Sequence, residues 1–547
     1  MWEQNYEPVA GSLGWSALVA AVPLLVLFYM LGVKRKPSWM AALAALVSAW
    51  VVALAVYKMP LQQALASTVY GAAFGLFPIG WIVFSSILLY RLAVDTGKFE
   101  IIKDSVGTLS DDRRLQALFI AFSFGAFVEG AAGFGAPVAV AAAMLAGLGF
   151  SPFYAAGICL LANTAPVAFG SIGTPIVTLS GITGMPMAPL SAMVGRICAL
   201  VSVIVPTYLV VIMAGAKGAA EVWPAIVACG VVFAGVQFLV SNFIGPELTD
   251  ILSALASIGA MFVVMKAWHP KTIFRLEGDT PAGQIAHRRH SGGEIFKAWT
   301  PYMLLVVFVL LWGYKPIKAT LDKVTVPLEI PGLHRTITRI PPVTKSPSPY
   351  TAVFTFNWLS ASGTSCFFAA VLTSLLLGVG PGGFWKAYKE THKQLAFPML
   401  TIASMLGLAY LMNYAGMTST LGLALAATGP SFPFFSSILG WMGVFLTGSD
   451  TSANALFGNL QVVTANALGL NPVLTAATNS SGGVMGKMIS LQSIAVAVAA
   501  TGMPAADEGK LFRFTLRHSV ILASVIGLIA MAYAYWVPHL VPVIAPR

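Results

Sequence analysis

Long apolar segments recur along this chain from residue 13 to residue 536. Each is close to the ~20 residues that a helix needs to cross a ~30 Å hydrocarbon core. Of the 547 residues, 57% are hydrophobic and 9% are charged, whereas soluble proteins carry about 25% charged residues. The sequence therefore predicts an all-α polytopic membrane protein, with about 11–14 transmembrane helices and half-helices and no large soluble domain.

The positions of Lys and Arg predict how the chain is oriented, because short loops rich in these residues stay on the cytoplasmic side. Lys34, Arg35 and Lys36 follow the first apolar segment, which predicts a cytoplasmic loop and an N-terminus outside. Continuing the alternation makes residues 266–297 a cytoplasmic linker and leaves the C-terminus outside. The basic loop 315–349 is the exception, which is tolerated because longer loops cross regardless of charge.

Composition also excludes several classes of function. The net charge of +11 does not indicate nucleic-acid binding, because the basic residues are spread over short loops beside apolar segments. The four cysteines are isolated and lack CxxC spacing, which argues against disulfides and metal sites. An intramembrane enzyme is disfavoured because HExxH and GxGD are absent. The expected partners are the lipid bilayer and a small solute, with no cofactor or metal.

Two parts of the chain resemble each other at an offset of about 316–320 residues. FVEG at 127–130 matches FLTG at 445–448, LGFSP at 148–152 matches LGLNP at 468–472, and TGMP ends both units at 183–186 and 501–504. Each match is weak alone, but their order and nearly constant offset predict an internal repeat. We expect residues 68–213 to form the first unit and residues 395–537 the second.

The predicted orientation makes the two units opposite in sense. The helix at 68–90 runs inward and its counterpart at 395–412 runs outward, and the helices at 187–213 and 512–537 are opposed in the same way. Inverted-topology repeats with interrupted apolar segments are typical of secondary transporters. Non-helical backbone at membrane depth is tolerated only where protein or a water-filled cavity satisfies it. The Gly-rich stretches therefore predict broken helices or re-entrant hairpins around a cavity.

Glu129 is the first candidate for chemistry. It lies in an apolar segment with no basic residue within about a dozen positions, and acids at that depth are expensive and usually functional. We expect it to carry a coupling proton. The alternative is a buried acid whose hydrogen bonds to the amides of residues 130–135 hold a hairpin in shape.

Asp450 and Lys487 are charged residues of the second unit without charged counterparts in the first. Lys487 is expected to bind a substrate carboxylate, or to pair with Asp450 when the site is empty. Asp450 is the second candidate proton carrier. A structural ion pair is the alternative for both, since one partner alone in a low-dielectric site is costly.

Hydroxyl and amide side chains in both units could bind a small polar ligand, and helix N-termini at the breaks would attract an anion. For any single Ser or Thr, packing between helices is the alternative. Arg196, Glu247 and Asp250 are expected near the membrane interfaces, without a leading role. Besides Lys487, the predicted substrate-binding residues are Asn163, Thr164, Ser171, Thr174, Thr451, Ser452, Asn454, Asn479, Ser480, Ser481 and Ser490.

Five motifs spread over most of the chain point to one family. They are EGAAGFGAP at 129–137, NTAPVAFG at 163–170, SNFIGPEL at 241–248, GVFLTGSDTSANALF at 443–457 and GKMIS at 486–490. In these motifs, and in its opening WEQNYEP, the chain resembles the bacterial L-lactate permease family. The resemblance implies a multi-pass protein of the bacterial inner membrane, with both termini periplasmic, that imports L-lactate, D-lactate and glycolate by proton symport.

The charge of the substrate supports the expectation of a coupling cation. Lactate is an anion, and moving one charge against 100 mV costs about 2.3 kcal/mol. A small monocarboxylate and at least one proton are therefore the expected ligands. A sodium-coupled carboxylate transporter would share the inverted repeats and stays an alternative, and a channel would need no coupling acid.

Overall fold

Helices that cross the membrane dominate this protein, which we describe from a computed structural model over residues 1–107, 110–133, 135–276, 290–504 and 507–544. Within these ranges, twelve helical segments are long and apolar enough to cross a membrane. The bent pair Pro152–Ala162 and Val167–Thr183 raises this number to as many as 13. The prediction of an all-α polytopic membrane protein is confirmed.

The N-terminal part of the chain forms three spans. The third is the longest, running from Leu61 to Asp95, and it starts earlier and ends later than the 68–90 predicted from the sequence. Two short π-helical segments, Tyr29–Val33 and Gly75–Gly80, interrupt the regular helices. The α-helices are α1 (Leu13–Ala20), α2 (Val22–Phe28), α3 (Ser38–Ala55), α4 (Leu61–Phe74) and α5 (Trp81–Asp95).

The next part of the chain forms a helical hairpin followed by a broken helix. The hairpin turns around Gly133 and Gly135, whose φ angles of 61° and 86° favour glycine. The broken helix bends by 61° between residues 162 and 167. These elements are α6 (Lys98–Gly107), α7 (Arg113–Gln116), the π-helix Ala117–Phe124, α8 (Gly125–Ala131), α9 (Ala136–Gly147), α10 (Pro152–Ala162), the 3-10 helix Val167–Phe169 and α11 (Gly170–Thr183).

The C-terminal part repeats this order of elements. A long helix precedes a hairpin that turns at Gly448, where φ is 70°, and a helix then breaks around Ser490. The elements are α18 (Pro381–Ala415), α19 (Met417–Leu425), the 3-10 helix Ala426–Ser431, α20 (Phe432–Thr447), α21 (Asp450–Ala467), α22 (Pro472–Lys487), α23 (Leu491–Thr501), α24 (Glu508–Tyr535) and the 3-10 helix Pro538–Leu540.

The remaining elements are four long helices, the predicted linker and a region with strands. Residues 277–289 of the predicted linker 266–297 lie outside the described ranges. The loop 315–349 contributes to two small sheets that the sequence did not predict, one of which includes β1 at the N-terminus. The elements are β1 (Trp2–Glu3), α12 (Met187–Glu221), α13 (Trp223–Phe243), α14 (Thr249–Ala267), α15 (Gly292–Gly313), α16 (Lys315–Leu321), the 3-10 helix Asp322–Val324, β2 (Val326–Glu329), β3 (Ile337–Arg339), β4 (Ser348–Pro349), β5 (Val353–Phe356) and α17 (Ser362–Leu376).

Two long helices, one from each part, pack antiparallel. In α4, Gly71 lies so close to α18 that an added Cβ would be 2.3 Å from Leu406 O. Farther along the same span, Arg91 forms a 2.9 Å ion pair with Glu390, near the start of α18. The two helices therefore run in opposite directions, as the positions of Lys and Arg predicted.

The final helices of the two parts are also antiparallel. Tyr208 Oη lies 2.6 Å from His518 Nδ1, and Arg196, nearer the start of α12, bonds to Leu540 O beyond the end of α24. Gln4 bonds to Asn413 O and Tyr414 O at the end of α18, and Tyr410 of α18 bonds to Gly181 O shortly before α12. Gln4 and the end of α24 therefore lie at the same end of the described structure, which we call the terminal end. At the opposite end, the buried Arg114 contacts Asp112 and Glu221, and we call this the Arg114 end.

Candidate functional site

The two hairpins and the two broken helices meet at one cavity of about 230 Å³. The first hairpin contributes Glu129 and Gly133, and the first broken helix contributes Gly170 and Ser171. The second hairpin contributes residues 447–452, and the second broken helix contributes Lys487 and Gln492. The sequence predicted a cavity at these Gly-rich stretches, and the structure brings them together.

Glu129 lies on the wall of this cavity and is 4% exposed. It packs so closely on Gly170 that a Cβ at that glycine would lie 2.5 Å from Glu129 Oε1. Its Oε2 has no hydrogen-bond partner among the described residues. The Asn163 side chain lies nearby, and neither its oxygen nor its nitrogen has a hydrogen-bond partner within the described ranges.

The first broken helix is fastened to the tip of the first hairpin. Ser171 Oγ donates a 2.7 Å hydrogen bond to Ala132 O. Ser171, Ile172 and Gly173 all have positive φ, between 46° and 70°, although non-glycine residues seldom adopt this conformation. Such conformations cluster at functional sites, where surrounding contacts hold them in place.

The second broken helix is fastened to the second hairpin by a similar contact. Lys487 Nζ donates a 2.7 Å hydrogen bond to Gly448 O, the residue at the hairpin turn. Both contacts join a residue at a helix break to a carbonyl at a hairpin turn, and only the second contact uses a charged side chain.

Asp450 begins α21 and is held by side chains of the second unit. Its Oδ2 accepts a 2.5 Å hydrogen bond from Ser480 Oγ and a 3.4 Å one from Asn454 Nδ2. Asn454 is fixed in turn by Asn479, whose Nδ2 donates to its Oδ1 at 2.9 Å. Oδ1 of Asp450 has no partner among the described residues. This carboxylate therefore has one hydrogen-bonded oxygen and one buried oxygen without a partner among the described residues.

Lys487 does not form the direct ion pair with Asp450 that was one prediction for the empty site. Its ammonium bonds to Gly448 O, while Asp450 bonds to Ser480 and Asn454. Lys487 nevertheless acts electrostatically on both Asp450 and Glu129. One cation thus lies within range of two acids at the same cavity.

Helix N-termini add positive potential at this cavity. Ser449 is the N-cap of α21, and Ser490 is the N-cap of α23. The first amides of a helix have no partner within it and attract anions. Thr451 and Ser452, in the first turn of α21, line the cavity. A carboxylate at this point would meet amide donors as well as Lys487.

The predicted site residues fall into two groups. Those that line the cavity are Glu129, Ser171, Asp450, Thr451, Ser452 and Lys487. The others are buried behind it, and several of them support the lining residues through hydrogen bonds. They are Asn163, Thr164, Thr174, Asn454, Asn479, Ser480, Ser481 and Ser490.

Some lining residues were not predicted from the sequence. Thr447 and Gln492 lie beside predicted residues and could have been found by extending those motifs by a few positions. Ser38 and Thr401 come from α3 and α18, far from either Gly-rich unit, and no local signal identifies them. Asp250, predicted near an interface, is instead 1% exposed, because its helix packs against α8 inside the protein.

The cavity adjoins a wider one of about 870 Å³ that shares Ser38, Thr447, Gly448 and Gln492 with it. Arg35 and Lys36 line the wider cavity. The wider cavity therefore lies next to the site on the side of the basic loop 34–36.

Comparison with known proteins identifies the family. The sequence model described as L-lactate permease matches residues 16–537. L-lactate permease of Bacillus subtilis (strain 168) is 49% identical, over 99% of this chain and 100% of that protein. In Escherichia coli (strain K12), L-lactate permease is 45% identical over 99% of this chain and 100% of its own length, and glycolate permease GlcA is 47% identical over 98% of each.

A solved structure shares the fold at low sequence identity. MtrF of Neisseria gonorrhoeae, described as illuminating a class of antimetabolite efflux pumps, aligns with a TM-score of 0.52 over 93% of this chain and 97% of that one, at 13% identity. This likeness concerns the fold alone. The full-length sequence matches, together with the motifs around the cavity, establish that the chain belongs to the L-lactate permease family, whose members are membrane transporters rather than enzymes.

Proposed function

We propose that this protein imports L-lactate, and also D-lactate and glycolate, across the bacterial inner membrane together with protons. The names of the relatives support the substrate class, because they include L-lactate permeases and a glycolate permease. Lactate and glycolate are both small 2-hydroxy monocarboxylates. One site that binds a carboxylate and a neighbouring hydroxyl would accept both.

The observation that carries this proposal is the meeting of Lys487, Glu129 and Asp450 at one cavity. Lys487 and the first amides of α21 would bind the carboxylate. Thr451, Ser452 and Ser171 offer hydroxyl groups to the substrate. A volume of about 230 Å³ is several times the ~30 Å³ that one water occupies, which leaves room for a three-carbon anion.

The two acids support proton coupling rather than uptake of the anion alone. Glu129 Oε2 and Asp450 Oδ1 are buried without a hydrogen-bond partner among the described residues. Burying an ionised carboxylate with an unsatisfied oxygen is costly, and taking up a proton removes that charge. Each acid could therefore carry a proton through the membrane while Lys487 balances the charge of the substrate.

Alternating access would follow from the arrangement of the two halves. We propose that residues 68–213 and 395–537 are inverted repeats, supported by their antiparallel helices and their similar break-to-hairpin contacts. The two hairpins and two broken helices would move relative to the remaining helices. The wider cavity at Arg35 and Lys36 then corresponds to the state open to the cytoplasm.

Uptake by the purified protein in proteoliposomes tests this proposal. An acidic exterior should drive accumulation of L-lactate above equilibrium, and a protonophore should abolish the accumulation. A sodium gradient at equal pH on both sides should have no effect. Accumulation that follows the sodium gradient would favour the sodium-coupled alternative, and simple equilibration under both gradients would contradict coupled transport.

A further inference from the structure

Asp250, in the first turn of α14, is a deeply buried acid to which the proposed function gives no role. It is 1% exposed, and neither carboxylate oxygen has a hydrogen-bond partner among the described residues. Leaving a buried polar atom unpaired is costly, and more so if it is charged. A carboxyl group in this state is poorly explained as a packing element, because an apolar side chain of the same size would fit at lower cost.

Asp250 packs against the segment that carries the cavity acid Glu129. Gly130, the next residue after Glu129, faces α14 so closely that a Cβ there would lie 2.8 Å from Asp250 Cβ and 3.1 Å from Ile251 N. The glycine therefore permits the close approach of α8 and α14. Glu129 is also the charged group that acts electrostatically on Asp250.

Asp250 itself does not line the cavity, whereas Glu129 does. Other elements place few ionisable groups against it. Cys198 of α12 is within electrostatic range of both Asp250 and Asp450, and its thiol donates to Ser481 Oγ at 3.6 Å. Glu247, in the turn before α14, is half-buried and accepts a 3.1 Å hydrogen bond from Ser362 Oγ.

We propose that Asp250 is a proton-relay residue, which exchanges the coupling proton with Glu129 on the side of Glu129 that faces away from the substrate cavity. This inference rests on the proposed proton symport. Two neighbouring buried carboxylates cannot both ionise at low cost, so the pair holds at least one proton. Transfer takes place when the two side chains turn toward each other: the O–H bond of one carboxyl breaks as the same proton binds an oxygen of the other, and the charge of the pair is unchanged.

Net proton transport begins when a second proton binds to the Glu129–Asp250 pair and makes it neutral. Glu129 can then face the cavity without charge while Lys487 pairs with the substrate carboxylate. Release of one proton restores the shared state. Asp250 thus offers the proton a binding position outside the substrate cavity. The proton and the substrate can then cross the protein by separate routes.

The Asp250→Asn variant tests the relay by separating two assays in proteoliposomes. Lactate counterflow at equal pH exchanges labelled for unlabelled substrate and needs no net proton movement. Uptake driven by an acidic exterior does need it. We expect the counterflow rate of Asp250→Asn to stay within about twofold of the wild-type rate. We expect its initial rate of pH-driven uptake to fall by about a hundredfold, the lower end of what a positioned acid or base contributes to proton transfer.

Two further variants complete the design. Glu247→Gln removes a nearby carboxylate that does not contact Glu129, and both of its assays should remain at the wild-type level. Asp250→Glu restores an acid and should recover part of the pH-driven uptake. If Asp250→Asn keeps pH-driven uptake, or if it loses counterflow to the same extent and Asp250→Glu behaves identically, Asp250 is structural and the relay is wrong.

Failure of the relay is distinguishable from failure of the proposed function. Wild-type protein that accumulates lactate under a pH gradient, together with an equally active Asp250→Asn variant, overturns the relay alone. Wild-type protein that responds to sodium and ignores the pH gradient overturns proton symport and the relay with it.

Discussion

At the scale of single residues, Lys487 and Asp450 have separate roles although both line the same cavity. Lys487 is bonded to the carbonyl at the hairpin turn, and Asp450 is held by Ser480 and Asn454. The two side chains do not form an ion pair with each other. The ammonium can therefore turn to a bound carboxylate without leaving an unpaired charge on Asp450.

Replacing Lys487 with Met keeps its apolar stem and removes the charge. Truncating one partner of a buried charge pair costs about 2–5 kcal/mol, so lactate should bind at least about 30-fold more weakly. Titration of the detergent-solubilised protein with lactate measures this. Lys510→Ala is the matched control, because Lys510 is 67% exposed and pairs with Asp507 at the surface, where ion pairs contribute about 0–1 kcal/mol.

Ser480→Ala removes the 2.5 Å hydrogen bond to Asp450. Hydrogen bonds to charged groups contribute about 1.5–3 kcal/mol, so both the thermal unfolding midpoint and pH-driven uptake should fall. Ser524→Ala is the control, because Ser524 bonds only to the backbone of its own helix, at Val520 O. Equal unfolding midpoints and equal uptake in the two variants would show that Ser480 is not needed to hold Asp450.

Sequence reasoning identified the residues that lie in unusual places, and it missed those whose role depends on distant packing. An acid in an apolar segment, such as Glu129, is conspicuous because burial of a charge needs a reason. Asp250 is equally buried, but it lies near a helix end beside a Gly-Pro turn, a pattern typical of an interface. Only the approach of α8 through Gly130 brings it to the site.

At the scale of elements, the hairpin turns and helix breaks supply most of the charged and polar residues of the cavity. Each hairpin turns at glycines with positive φ, and each broken helix donates a side-chain hydrogen bond to the neighbouring hairpin tip. These stretches were predictable because Gly, Ser and Asn cluster there around a charged residue between apolar segments. The small sheets of loop 315–349 were not, because β1 pairs with β3 across most of the chain.

Gly170→Ala tests the packing between the first broken helix and Glu129. Gly170 has φ near −60°, so alanine fits its backbone, but the new Cβ would lie 2.5 Å from Glu129 Oε1. Displacing a reacting group by about 1 Å can cost about a hundredfold in rate, and the initial rate of pH-driven uptake should fall by about 10- to 100-fold.

The control for this variant is Gly259→Ala in α14, where a Cβ would meet nothing within 4 Å. Uptake should stay at the wild-type level, because alanine is favoured over glycine in helices by about 1 kcal/mol. Similar losses in both variants would mean that the effect of Gly170→Ala is general rather than local to Glu129.

At the scale of the whole molecule, the two ends differ in what they expose. The terminal end carries Gln4, the end of α24 and the sheets of loop 315–349, and the opposite end carries the basic loop 34–36 and the buried Arg114. The alternation of helices from the basic loop 34–36 predicted this division, with loop 315–349 as an exception to the charge rule. The sequence did not predict toward which end of the molecule the site opens, because that depends on how the two halves pack together.

Labelling of introduced cysteines tests the orientation. The four native cysteines are free and buried, so the background should be low. Lys345→Cys, at an exposed position of the terminal end, should react with a membrane-impermeant maleimide in intact cells. Lys36→Cys should react only after the inner membrane is opened, and the reverse pattern would invert the proposed topology.

The most direct test of the account combines lactate uptake with proton movement in one sample. Proteoliposomes in weakly buffered medium are given L-lactate, and both internal lactate and external pH are recorded for wild type and for the Glu129→Gln, Asp450→Asn double variant. We expect lactate entry to alkalinise the medium in wild type, and we expect both signals to be lost in the double variant. Undiminished lactate uptake by the double variant would contradict proton coupling through these two acids.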